Sequence, residues 1–172
     1  MMNSVPEDFG LYASLIAADE AGIKIEMVEG IGSWEMMPNP RHQTTVFKIQ
    51  QTIRRAEMGT DCGCFQYADV YVRFKDGSFK RPDIAIYCQE LPDIDGDHAV
   101  TQIPEAVIEV LSKGYEAKDL EIGAPFYLKM GVKDVIVVDP KSGQIHHFRP
   151  EGTKVLQSPQ LFQLECGCLV DV

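Results

Sequence analysis

Ala106-Val107-Ile108-Glu109-Val110-Leu111 places one carboxylate inside five apolar side chains. A run this rich in Val, Ile and Leu reads as a buried strand. An ionised Glu in such a strand is costly unless something compensates it. Ser112 to Gly114 leads from this strand into a helix of about Glu116 to Met130, and Val135-Ile136-Val137-Val138 follows, apolar throughout as in a central strand. Strand, long helix and strand with a matching crossover predict an α/β fold. Upstream, Lys80-Arg81-Pro82-Asp83-Ile84-Ala85-Ile86 is a second short apolar strand, entered through a proline and carrying one Asp. Two lone acids on two core strands suggest a shared divalent-cation site, because a hard cation offsets the cost of holding carboxylates together. The plainer reading puts each acid at a strand end, solvated or paired with Lys or Arg.

Working outward, Phe9, Leu11, Leu15 and Ile16 predict a short amphipathic helix from Glu7 to about Ala21, ended by Gly22. Ile23 to Val28 alternates, Gly30-Ile31-Gly32 turns, and Ser33-Trp34-Glu35-Met36-Met37 returns, so a hairpin follows. Asn39-Pro40 is a cap-and-proline start for a helix of about Arg41 to Glu57, with Val46, Ile49 and Ile53 on one face. Cys64 to Phe74 and, past the Asp76-Gly77 turn, Phe79 to Tyr87 read as strands. Asp93-Ile94-Asp95-Gly96-Asp97-His98 is a polar loop; its spacing is like that of a calcium loop, but the distal Glu and the helical flanks are missing. Asp139 to Gly143 turns the central strand into Gln144 to Phe148, and two short strands follow around Val155 and Leu164. Hairpins at both ends make the sheet mixed. Trp34 and Tyr127 read as core residues. His146 and His147 point to opposite faces of an alternating strand and cannot chelate one ion together.

A chain of 172 residues suits a single domain over 1–172 with one sizeable core. No apolar run approaches the roughly 20 residues that cross a bilayer. The first residues lack the basic start and apolar stretch of a signal peptide, so the expected location is the cytoplasm, with no membrane partner. The net charge of −10 argues against general attraction to a polyanion. A local basic patch remains open to Arg41, Lys48, Arg54, Arg55, Lys75, Lys80 and Arg81. Four of the five cysteines form Cys62-Gly63-Cys64 and Cys166-Gly167-Cys168. If the two ends meet, they could make a four-thiolate zinc site; the commoner reading is small reduced thiols beside glycines that pinch a strand. Cys88 reads as a strand-end residue. No Gly-rich phosphate loop, nucleophile elbow or Ser-His-Asp order occurs.

Pro82-Asp83, then Glu109-Val110-Leu111-Ser112, then Asp119-Leu120, Tyr127, Gly131-Val132 and Val138-Asp139-Pro140 resemble the Uma-type family of restriction-endonuclease-like proteins, within the PD-(D/E)XK nuclease superfamily. Glu26-Met27-Val28-Glu29-Gly30 and Pro40-Arg41-His42 look like that family's N-terminal half. The resemblance spans roughly Ile23 to Leu164 and rests on the order and spacing of the motifs together. It implies a restriction-endonuclease-like fold, a central mixed β-sheet flanked by α-helices. It further implies a metal-dependent DNA endonuclease, with Asp83 and Glu109 on neighbouring strands holding Mg²⁺ or Mn²⁺. Glu26 is the candidate auxiliary carboxylate, or else a solvent-facing charge. His42 is a candidate for contact with phosphate or substrate, or else a surface or cap-region histidine. DNA is the implied substrate, and cutting both strands would take a homodimer.

The superfamily's lysine follows the acid within E-x-K, where this chain has Val110-Leu111. The Uma-type family instead carries a lysine four residues after the Asp that corresponds to Asp119, and here that place is Gly123. Lys118 is the candidate catalytic lysine and Lys113 lies nearby, but Lys118 stands five positions from Gly123, well around an α-helix. Gly123 and Pro125 also weaken that helix. The expectation is a weakened or inactive nuclease. Its rivals are a catalytically inactive nucleic-acid-binding or interaction module that keeps the fold, and an acidic scaffold stapled by zinc.

Overall fold

The computed structural model describes residues 8–35, 37–93 and 98–172, so four of the six residues of the acidic loop lie outside the described residues. Helix α1 (Asp8–Glu20) precedes the hairpin of β1 (Lys24–Val28) and β2 (Ile31–Glu35). Helix α2 (Pro40–Gln50) begins as a capped helix should. The Asn39 side chain accepts a hydrogen bond from the His42 N–H at 3.0 Å, and Pro40 fills the first turn, where its missing N–H costs nothing. Its inward face is His42, Val46 and Ile49. The expected continuation to Glu57 fails: the helix stops at Gln50, and β3 (Arg54–Arg55) follows.

The central sheet has six strands. In chain order they are β4 (Phe65–Tyr67), β7 (Ile84–Tyr87), β8 (Ala106–Val110), β9 (Asp134–Val138), β10 (Gln144–Arg149) and β11 (Gly152–Gln157). In space the order is β11-β10-β9-β8-β7-β4, with β8 and β9 parallel and the other pairs antiparallel. All five residues of β8 and of β9 are buried, which accounts for their unbroken apolar pattern. A second sheet has the order β2-β1-β6-β5, with β5 (Val72–Arg73) and β6 (Phe79–Lys80). The third joins β12 (Leu161–Gln163), β13 (Cys168–Asp171) and β3.

Two expected strands are each divided. Cys64 to Phe74 becomes β4 and β5, and Phe79 to Tyr87 becomes β6 and β7, with the halves in different sheets. The second break falls at Arg81-Pro82-Asp83, where proline cannot donate to a ladder. The expected helix over 116–130 is also divided, into a π-helical turn at Lys118–Gly123 and α3 (Ala124–Lys129).

Side chains alternate across the central sheet and build two core layers. Ile84, Ile86, Ile108, Val110 and Ile136 pack with Val46 and Ile49 of α2 and with Phe162 and Val170 of the third sheet. Val107, Val135 and Val137 face the other way, against Phe126 and Tyr127 of α3 and Val72 and Phe74. Tyr127 is fully buried, as expected of a core residue. Trp34 is not: it is 61% exposed, because β2 is an edge strand with an uncovered outer face. The cysteines also differ from free reduced thiols, with Cys62 bonded to Cys88 and Cys64 to Cys168. Among the described residues, no helix is long and apolar enough to cross a membrane.

Candidate active site

The pairing Ile84↔Ile108 and Ala85↔Val107, continued one step, sets Asp83 opposite Glu109 on the face that carries α3. The two acids are held by each other's strands. The Asp83 N–H donates to Glu109 Oε2 at 3.0 Å, and the Val110 N–H donates to Asp83 Oδ2 at 2.8 Å. Tyr127 donates its hydroxyl hydrogen to Glu109 Oε1 at 2.7 Å. His42 Nε2 lies 3.1 Å from Asp83 Oδ2, so this histidine is buried against an acid rather than sitting at the surface. Lys24 Nζ stands 4.0 Å from Asp83 Oδ1. Burial, joined by the negative charges of Asp83 and Asp119, pushes the Glu109 carboxyl well above the usual range.

Beside this pair lies a third carboxylate, with two ammonium groups on one oxygen. Glu26, the central residue of β1, is 1% exposed and is no solvent-facing charge. Its Oε2 accepts from Lys80 Nζ at 2.7 Å and Lys118 Nζ at 2.9 Å, and its Oε1 accepts from the Arg81 N–H at 2.7 Å. Burial alone would raise the Glu26 carboxyl; the charges of Lys80, Lys118 and Lys24 overcome it and hold the group well below its usual range. Burial likewise opposes the charge on Lys80, and the carboxylates of Glu26, Glu109 and Asp119 outweigh it, so Lys80 stays protonated. Its ammonium also lies 5.2 Å from the centre of the Tyr127 ring, within cation–π range.

The π-helical turn explains how Lys118 reaches Glu26. On an α-helix, residues five apart differ by about 140° around the axis. Here the Ala124 N–H bonds to the Asp119 carbonyl five residues back, a wider turn that brings such pairs much nearer to one side than the α-helical step does. Lys118 and Gly123 therefore share a side. A Cβ at Gly123 would stand 3.1 Å from the Lys118 carbonyl oxygen and 3.5 Å from Lys80 Nζ. The tight neighbour of such a Cβ is the Lys118 carbonyl oxygen, and the Lys80 ammonium lies in contact beyond it. Asp119 Oδ1 is buried there and makes no hydrogen bond; Lys118 Nζ is 3.5 Å away. Lys113 is exposed.

A cleft of about 330 Å³ opens onto the site, lined by Lys24, His42, Gln43, Asp69, Arg81 and Asp83 among others. Arg81 is fixed in its wall by Asp19 and Asp69 and lies over the Tyr71 ring. The described structure thus gathers Asp83, Glu109, Glu26, His42 and Lys118 around one end of β7 and β8.

The family model described as "putative restriction endonuclease", Uma2, matches residues 6–166. The chain belongs to the Uma2 family. A crystal structure from Anabaena variabilis ATCC 29413, described as "a putative nuclease belonging to DUF820", shares the fold with a TM-score of 0.58. It is 21% identical, over 81% of this chain and 80% of that one. No curated protein matches. The restriction-endonuclease-like fold with its mixed central sheet is therefore the fold of this Uma2 protein.

Lys80 is the residue of this candidate site that sequence reasoning passed over, having entered only as a candidate for a local basic patch. Its one signal is its place, three residues before Asp83 and directly ahead of the break into β7. His147 turns away from the site and forms a separate cluster, bonded to Asp134 at 2.7 Å beside Arg149.

Proposed function

We propose that this Uma2 protein is a divalent-metal-dependent endonuclease that hydrolyses phosphodiester bonds in DNA. The observation that carries the reading is the pairing of Asp83 and Glu109 beside two ammonium groups held on Glu26. The donor set fits a hard cation. Each oxygen bonded at Glu109 accepts a single hydrogen bond and keeps a lone pair, and the unbonded Asp119 Oδ1 adds a third oxygen nearby. The raised Glu109 carboxyl supports the same view, since a bound cation offsets both the burial and the neighbouring negative charge that raise it. Asp83 and Glu109 would hold Mg²⁺ or Mn²⁺, supplying a Lewis acid for the phosphoryl oxygen and a more acidic bound water.

The chain's own residues then do the rest. Tyr127 and the Asp83 N–H fix the Glu109 carboxylate, and His42 and the Val110 N–H fix Asp83. Lys118, 12% exposed at its side chain, is the ammonium that meets negative charge developing on the phosphoryl oxygens. Lys80, almost fully buried, sets the charge of the site from behind, and Glu26 holds both lysines in place. Glu26 on this reading is a holder of lysines. Lys24 and Arg81 on the cleft wall are the contacts for substrate phosphate. A homodimer would bring two such sites to the two strands.

Incubation of supercoiled plasmid with purified protein and Mg²⁺ or Mn²⁺ tests the reading. Metal-dependent nicking abolished in Asp83→Ala is the expected result. The second reading, an inactive DNA-binding module, draws on the neutralisation of both lysines by Glu26. DNA binding with no cleavage under either metal would favour it and reject the first.

A further inference from the structure

The two Cys-Gly-Cys elements meet in the core layer on the far side of the central sheet from Glu109. Thr60 joins them: its hydroxyl donates to the Cys166 carbonyl at 2.7 Å and accepts from the Cys62 N–H at 3.0 Å. The C-terminal element is a tight turn, with Gly167 N–H bonded to the Leu164 carbonyl and Leu164 N–H to the Cys168 carbonyl. Gly167 has a φ of +93°, and a Cβ there would collide with Thr60, so only glycine allows the two elements to meet this closely. Gly63 N–H bonds to the Cys88 carbonyl at 2.9 Å and brings in the fifth cysteine.

Two disulfides account for four of these sulfurs and leave Cys166 as the free thiol among the described residues. Yet the sulfurs form one cluster. Those of Cys62, Cys166 and Cys168 all lie within 4.8 Å of one another, and Cys62 Sγ to Cys168 Sγ is 3.6 Å. Four thiolates about 2.3 Å from a tetrahedral zinc stand about 3.8 Å apart. Two separate disulfides give no reason for a fifth sulfur to lie within 4.8 Å of two of theirs.

We propose that the reduced protein binds one Zn²⁺ through Cys62, Cys166 and Cys168, with Cys64 or Cys88 as the fourth ligand. Each disulfide is first reduced to two thiols, either by a dithiol that gives two electrons and two protons and becomes a disulfide, or by a phosphine that gives two electrons and becomes its oxide while water supplies the oxygen and the two protons. Zinc then replaces the proton on each of four thiols, forming four Zn–S bonds and releasing four protons, with no further redox change. A closed four-thiolate set has no open position for substrate, so the site is structural. It ties the segment after β3 to the turn between β12 and β13. It is independent of the proposed nuclease chemistry.

Full-length protein purified under a phosphine reductant, with elemental analysis and Co²⁺ titration, tests this. The expected result is about one zinc per chain, and Co²⁺ spectra with tetrahedral d–d bands and a thiolate-to-cobalt charge-transfer band. Cys166→Ser is the informative variant, because Cys166 takes part in neither disulfide and the fold does not need it bonded. It should weaken zinc binding by at least about tenfold. Cys64→Ser and Cys88→Ser then identify the fourth ligand, as the one whose loss releases the metal. A reduced, folded protein that takes up neither zinc nor cobalt would overturn the proposal. So would uptake unchanged in Cys166→Ser, or two disulfides that persist with no metal under the reductant.

Discussion

Replacing Lys80 by methionine removes one buried charge and keeps most of the apolar stem. The ammonium is 1% exposed and bonded to Glu26 at 2.7 Å, so its loss leaves a buried carboxylate short of a partner. Breaking a buried pair from one side costs about 3–5 kcal/mol. Glu26 keeps Lys118 at 2.9 Å and the Arg81 N–H at 2.7 Å, which puts the expected loss at the lower end, about 3 kcal/mol. For a chain of this size that is a fall in Tm of roughly 6–12 °C. Urea unfolding followed by circular dichroism reads it directly. The double variant Lys80→Met/Glu26→Gln should recover much of the loss, since removing both partners leaves no uncompensated buried charge. Plasmid cleavage by Lys80→Met should fall on the order of 10²–10³, as for loss of a positioned electrostatic group. A single variant as stable as the parent, or a double variant that recovers nothing, would refute the reasoning.

Glu109→Gln should stabilise the metal-free protein at neutral pH. The folded carboxyl is held above its ordinary value of 4.5, so below that value both states are protonated, and stability is lost as pH rises toward the folded value. The gain in Gln should therefore be absent near pH 4 and grow with pH in thermal melts. A loss of several kcal/mol at neutral pH would instead show Glu109 to be half of a structural ion pair. Calorimetric titration of the parent with Mn²⁺ should show one weak site, and Asp83→Ala should abolish it; unchanged heats would remove Asp83 from the metal. Gly123→Ala sets a Cβ 3.1 Å from the Lys118 carbonyl oxygen and 3.5 Å from Lys80 Nζ. Cleavage should drop, while a helix-propensity gain of up to about 1 kcal/mol keeps the net change in stability small. Cleavage equal to the parent would show that the Lys80 ammonium needs no such space.

The unit of β8, crossover and β9 was readable because both strands are apolar on both faces. Asp83 and Glu109 stood out there as the only acids in those runs. Glu26 was not readable in the same way. Its alternating strand is consistent with either face, and the groups that bury it, Lys80 and Lys118, lie 54 and 92 residues further on. The division of the run from Phe79 to Tyr87 was hidden for a similar reason. Each half is a good strand, and only the long-range partners β1 and β8 show that they belong to different sheets. Lys118 was placed around the helix because periodicity assumes an α-helical step, and nothing local in Lys118 to Gly123 announces the wider turn. Trp34 is large and apolar enough for a core, and neither property carries information about which strand lies at an edge.

That wider turn is also a phase shift along the chain. Seen from α3, the residues before it are rotated by the extra residue it contains. Ile122 is exposed, so removing it takes nothing from the core. A chain shortened there would run as continuous α-helix, with everything ahead of the cut turned by about 100°. Tyr127 would keep its bond to Glu109, while Lys118 and Asp119 would swing off the carboxylates. In this fold the length of one short segment, rather than the identity of its side chains, decides whether the lysine faces the acids at all.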